Sequence, residues 1–151
     1  MSVFDPDQFA DFINSLNLRH FAPYEFLVMG SRHNDPNSPC RGKNTMPPQA
    51  LWPNIAKTAQ ILDDFRRRIG SPVRISNAYR SLAYNKCIGG ATSSQHMRFN
   101  ALDFSVEGNS RPSDWARLLR SMRDDEGLFL GGVGLYATFV HLDTRGSNAD
   151  W

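Results

Sequence analysis

Two histidines and an aspartate at unusual spacing carry the chemistry available to this chain. His96 is followed, after a gap of six residues, by Asp103, which sits in the apolar, strand-like run Ala101-Leu102-Asp103-Phe104-Ser105-Val106. Ligands on one helix face stand roughly three or four positions apart, so this spacing instead asks a loop to carry His96 back over the strand that bears Asp103. A third ligand has to come from elsewhere. His141 lies in Phe139-Val140-His141-Leu142-Asp143, where alternation puts His141 and Asp143 on one strand face and Val140 and Leu142 on the other. Two His and one Asp make a catalytic type of zinc site. Three protein ligands leave the fourth tetrahedral position for water, whereas structural zinc is closed by four ligands, mostly cysteines. Such a centre supports hydrolysis, with a nearby carboxylate accepting the proton of the water. Asp143, about 6–7 Å from His141 along the strand, is the candidate for that general base; the other role open to it is to brace a ligand. Taken singly, His96 reads as an ordinary loop histidine and Asp103 as a turn former, and it is their combination with His141 that points to a metal.

These residues need elements to hold them. Asp5 and Pro6 read as the N-cap and first residue of a helix striped by Phe9, Phe12, Ile13 and Leu16. Residues 30–49 are rich in turn formers and without periodicity, a long connection of the kind that borders a site. Ile55, Ala59, Leu62, Phe65 and Ile69 define a second helix, stopped by Gly70 and Pro72. Pro72 to Ser76 alternates as a strand, and Asn77-Ala78-Tyr79-Arg80-Ser81 is its exit, so Arg80 stands at a strand end, placed to clamp an anion or to pair with a surface carboxylate. A short helix over residues 82–88, a long one from Pro112 to about Gly127, and strands over residues 129–136 and 139–143 joined at Ala137-Thr138 complete the order. The sum is an α+β domain spanning residues 1–151, with helices packed on a small antiparallel sheet.

Composition narrows the partners. With 17 Lys+Arg against 15 Asp+Glu, a net charge of +2 argues against nucleic acid, and Arg66-Arg67-Arg68 reads as a solvated helix face. The first residues show no signal peptide, and no segment approaches a membrane span, so no membrane attachment is expected; the chain is also expected to be a monomer. Cys40 and Cys87 permit one disulfide or two free thiols. His33 reads as solvent-facing, and Tyr136 and Trp52 as aromatics that either line a cleft or, as is commoner in such a setting, lie in the core.

Several short motifs follow one another along the chain: Ala78-Tyr79-Arg80-Ser81 with Tyr84-Asn85, Gly89-Gly90-Ala91 leading to Ser94-Gln95-His96, Ala101-Leu102-Asp103-Phe104, and Gly131-Gly132-Val133-Gly134 with Phe139-Val140-His141-Leu142-Asp143-Thr144-Arg145-Gly146. In these the chain, from about residue 21 to 146, resembles the zinc-dependent D-alanyl-D-alanine carboxypeptidase and murein endopeptidase family, which shares its fold with the hedgehog signalling domain. The resemblance implies that His96, Asp103 and His141 bind Zn2+ and that Arg80 holds a carboxylate or carbonyl of a peptidoglycan stem peptide. The implied function is a zinc metallopeptidase, carboxypeptidase or endopeptidase, acting at the cell wall; the lack of a leader favours a phage endolysin over a secreted bacterial enzyme. The other function compatible with these residues is a non-catalytic module that binds a cell-wall peptide or protein. Two positions depart from the family pattern. Phe99-Asn100 stands where many members carry a Gly, and Thr138 stands where many carry a Glu or Asp three residues before the last histidine.

Overall fold

In the computed structural model, which describes residues 3–151, Asp5 caps the first helix as its sequence predicts. Its carboxylate accepts from the amides of Asp7 and Gln8, at 2.9 and 3.2 Å, and starts α1 (Pro6–Asn14), which buries Phe9 and Ile13. Met1 and Ser2, where the signal-peptide reading begins, lie outside the described residues. The long connection after residue 30 opens with one helical turn, α2 (Ser31–Asn34), and closes in a 3-10 turn, Gln49–Asn54. It leads into α3 (Ile55–Ile69), whose apolar stripe is buried through Phe65 and partly buried at Ile69, and whose last turn ends on Gly70 at φ 71°, a left-handed conformation that glycine adopts without a Cβ penalty. α4 (Leu82–Cys87) and α5 (Pro112–Asp124) follow.

The sheet runs β1-β2-β4-β3-β5, with β1 at Val73–Asn77, β2 at Ala101–Val106, β3 at Gly132–Leu135, β4 at Val140–Asp143 and β5 at Ala149–Asp150. Four strands pair antiparallel, as expected, and the two-residue β5 adds a parallel edge on β3, which makes the sheet mixed. β5 arises because the chain reverses after β4 and crosses to the far side of β3. One face of the central strands turns Leu102, Phe104, Val140 and Leu142 into a single apolar cluster with α3 and α5. There Phe104 meets Phe65 at 5.0 Å and Trp115 at 6.3 Å, and each such buried ring stabilises the fold by about 1.5–3 kcal/mol. The opposite face is where the chemistry lies. Asp103 and His141 are paired Cα partners on adjacent strands, so sheet register alone brings them side by side.

Cys40 and Cys87 form a disulfide, and no free cysteine remains among the described residues. Arg67 and Arg68 pair with Asp64, and Arg68 also with Glu126, while Arg66 donates to the His20 carbonyl and lies over the Phe21 ring, so each arginine of the basic cluster has a partner within the fold. Among the described residues no helix is long and apolar enough to cross a membrane.

Candidate metal centre

The loop geometry that the His96–Asp103 spacing demands is built by a 3-10 turn and one left-handed residue. Ser94 Oγ accepts from the His96 amide and starts the turn Gln95–Arg98. Phe99 then takes φ 57°, which reverses the chain so that β2 can begin at Ala101. This conformation costs an L-residue about 1–2 kcal/mol, and complete burial of the Phe99 ring, against Phe9 and Tyr79, offsets it. Asn100 secures the turn by donating to Gln95 Oε1 at 2.9 Å, so Phe99-Asn100 does by packing and a hydrogen bond what a glycine would do by conformational freedom.

His96, Asp103 and His141 are all buried, and one ligand atom from each lies within 4.8 Å of the others. His96 Nδ1 stands 2.7 Å from the Ala78 carbonyl oxygen, which only accepts, so the ring proton sits there and Nε2 faces Asp103 Oδ1 at 3.1 Å with its lone pair. His141 has the opposite arrangement. Its Nε2 donates to Asp143 Oδ2 at 2.7 Å, and Nδ1 is left facing Asp103 Oδ1 at 3.1 Å. Two imidazole lone pairs and a carboxylate thus converge on one point with their protons turned outward. Three acceptors so placed fit a cation between them, and the donor set of two nitrogens and one oxygen suits zinc.

That arrangement holds for the neutral imidazoles; with the rings protonated, the nitrogens that face Asp103 donate to it instead. Burial alone would push the Asp103 carboxyl up, but the charge and hydrogen bonds of His96 and His141 outweigh it and hold the group well below the usual carboxylate range. Burial pushes His141 down, and hydrogen bonds to Asp103 and Asp143 more than reverse that, so its pKa is raised. Asp143, also raised by burial, is brought well below the ordinary value by His141, Arg145 and the Gly132 amide.

Asp143 shares a strand face with His141, but it lies behind that ring. It is fully buried and accepts from His141 Nε2, from the amides of Gly132 and Arg145, and from Arg145 Nε and Nη2. Gly131 and Gly132 make the room: a methyl on Gly131 would overlap the Asp143 carbonyl oxygen, and one on Gly132 would meet Asp143 Oδ2 at 2.5 Å.

The cluster floors an open cleft of about 530 Å³. Arg80 stands on one side of it. Its amide donates to the His96 carbonyl at 3.2 Å, while its guanidinium has only long contacts, 3.6 Å to Asp103 Oδ2 and 3.5 Å to Asn85 Oδ1, and its buried Nε has no partner. Tyr136, Phe139, Arg145 and Trp151 form the other side. Of the two aromatics open to cleft or core, Tyr136 is 42% exposed at the rim, against the commoner expectation, and Trp52 is buried in the core. Thr138 is exposed on the β3–β4 turn and does not line the cleft.

The peptidase M15 family model matches residues 30–143, about three quarters of the chain. The chain belongs to the peptidase M15 family. This zinc-dependent, D-Ala-D-Ala carboxypeptidase-like family consists of metallopeptidases. Among curated proteins none matches the chain significantly. The M15 match takes in Arg80, His96, Asp103, His141 and Asp143 and stops short of Arg145 and Trp151.

Trp151 was not legible as a site residue. Its ring lies 4.9 Å from that of His141, its Nε1 donates to Tyr136 Oη at 2.9 Å, and Arg145 stacks over it. Backbone bonds to Val133 and Leu135 hold it, and the one available signal is Gly134, whose missing side chain leaves the space that the indole fills.

Proposed function

We propose that this M15 protein is a monomeric zinc peptidase that hydrolyses an amide bond in peptidoglycan stem peptides, as a D-Ala-D-Ala carboxypeptidase or murein endopeptidase acting at the cell wall. His96 Nε2, Asp103 and His141 Nδ1 are the zinc ligands in this reading. The observation that carries it is the convergence of those three acceptors on one point of an open cleft, beside an arginine whose donors are largely unspent. Zinc, when bound, supplies Lewis-acid polarisation of a carbonyl and lowers the pKa of water from ~15.7 toward ~7.

Arg80 captures the substrate. A guanidinium with five N–H donors, a buried unpaired Nε and two long contacts is completed by a planar carboxylate or by a peptide carbonyl. Asp143 we assign to positioning instead of to the general-base role its sequence place invites. Both of its oxygens already accept from His141, Gly132 and Arg145, and they face away from the cleft. A base needs an oxygen within reach of the reacting water. By holding the proton on His141 Nε2, Asp143 keeps the Nδ1 lone pair directed at the centre.

The second reading, a module that binds a stem peptide without cutting it, draws on one observation. Among the described residues Asp103 is the only carboxylate lining the cleft. Zinc-loaded protein incubated with a bacterial wall digest and followed by mass spectrometry separates the two. New free amines from stem peptides support the peptidase, and retention of intact peptides on the protein with no new amine supports the binding module.

A further inference from the structure

Arg80 owes its place to a side chain far away in sequence. Asn44 lies in the stretch between α2 and the 3-10 turn at residue 49, which has no regular structure of its own, yet it is only 4% exposed. Its Nδ2 donates to the carbonyls of Met29 and Tyr79, both at 2.9 Å, and its Oδ1 accepts from the amides of Ser81 at 2.8 Å and Thr45 at 3.0 Å. Tyr79 and Ser81 flank Arg80. One side-chain amide therefore occupies a backbone group on each side of the arginine, as a neighbouring strand would, and spends its two donor hydrogens and two acceptor sites doing so.

The stretch that presents Asn44 is itself tied down. The Asn44 amide donates to His33 Nδ1 at 3.0 Å, which gives the His33 ring a bracing role in place of the solvent-facing one expected of it. Ser81 Oγ donates to the Lys43 carbonyl at 3.0 Å. The disulfide then joins Cys40, in this stretch, to Cys87 at the end of α4, and α4 supplies Asn85, the only residue besides Asp103 near the Arg80 guanidinium among the contacts described above. The two arms that reach Arg80, Asn44 on its backbone and Asn85 on its head, are thus fastened to each other by one covalent bond.

We propose that Asn44 is a positioning residue for Arg80, and that the Cys40–Cys87 disulfide holds Asn44 in register, so that both set substrate capture without touching the metal. The inference rests on the reading of Arg80 as the substrate clamp. It is tested with Asn44→Ala and with the milder Cys40→Ser/Cys87→Ser pair, measuring KM, kcat and zinc content on a stem peptide ending in D-Ala-D-Ala. Leu119→Val, a core truncation on α5, serves as a control for lost stability. The expected result for Asn44→Ala is a KM raised about tenfold with kcat changed less than about threefold and zinc retained, with a smaller shift in the same direction for the cysteine pair. An unchanged KM in both variants, or an equal KM shift in Leu119→Val, overturns the proposal. Should the intact protein not cleave this peptide, the carboxypeptidase form of the reading fails by itself, and the same peptide's binding affinity becomes the readout. Roughly tenfold weaker binding by Asn44→Ala supports the positioning role there, and equal binding overturns it.

Discussion

Asp143 Oδ2 lies 2.7 Å from His141 Nε2, on the side of the ring opposite the nitrogen that faces Asp103. This one hydrogen bond decides which tautomer His141 adopts and hence which nitrogen is free for a metal. Asp143→Asn keeps the shape and loses the charge, and zinc affinity is expected to fall about 10–100-fold. Competition with a chromophoric chelator measures it, and an unchanged affinity would remove the positioning role.

Zinc binding should release protons near neutral pH. The raised pKa of His141 means that its protonated form stabilises the metal-free fold below the ordinary histidine value of 6.5, a gain lost as pH rises through the higher folded value. Zinc takes only the neutral imidazole, so affinity falls on acidification. Calorimetry at pH near 6.5 in two buffers of different ionisation enthalpy should give different apparent heats. Identical heats would show that no proton leaves.

The glycines behind Asp143 should resist substitution. Gly131→Ala forces a methyl onto a backbone carbonyl that has no room to yield, at an expected cost of about 1–3 kcal/mol in thermal or denaturant unfolding. Gly132→Ala presses instead on the Asp143 carboxylate, so its signature is weaker zinc binding more than a lower Tm. The reverse pattern would contradict this division of roles.

Arg80→Lys retains the charge and loses the planar fork. A KM raised about tenfold or more, with zinc content unchanged, is expected if the guanidinium grips a carboxylate or carbonyl in two places. Loss of zinc in this variant would mean that Arg80 chiefly supports Asp103.

Much of the centre could be read from residue order. The gap between His96 and Asp103 would set them about 10 Å apart on a helix, too far to share a metal, and period-two alternation places Asp103 and His141 on strands, because both signals are local. What remained hidden depends on pairing between distant segments. That Asp103 sits opposite His141 follows from the register of β2 on β4, which local pattern does not determine. Alternation correctly put Asp143 on the His141 face, but the nitrogen it binds is fixed by the Gly131-Gly132 cradle and by Arg145. The two-residue β5 is too short for any periodicity, so Trp151 and the exposed placement of Tyr136 beside it left no trace beyond Gly134. In the connection after residue 30 the turn formers were plain, whereas the pairing of Cys40 with Cys87, left open against two free thiols, and the buried amide of Asn44 belong to three-dimensional proximity alone.

The central claim is that His96, Asp103 and His141 hold a zinc ion that serves amide hydrolysis. The most direct test is zinc content measured together with release of stem-peptide fragments from a wall digest, on the intact protein and on His96→Ala. About one zinc per chain with release of fragments, both lost in His96→Ala, is the predicted result. Fragment release that persists in a protein without zinc, or an intact protein that takes up none, would contradict the account.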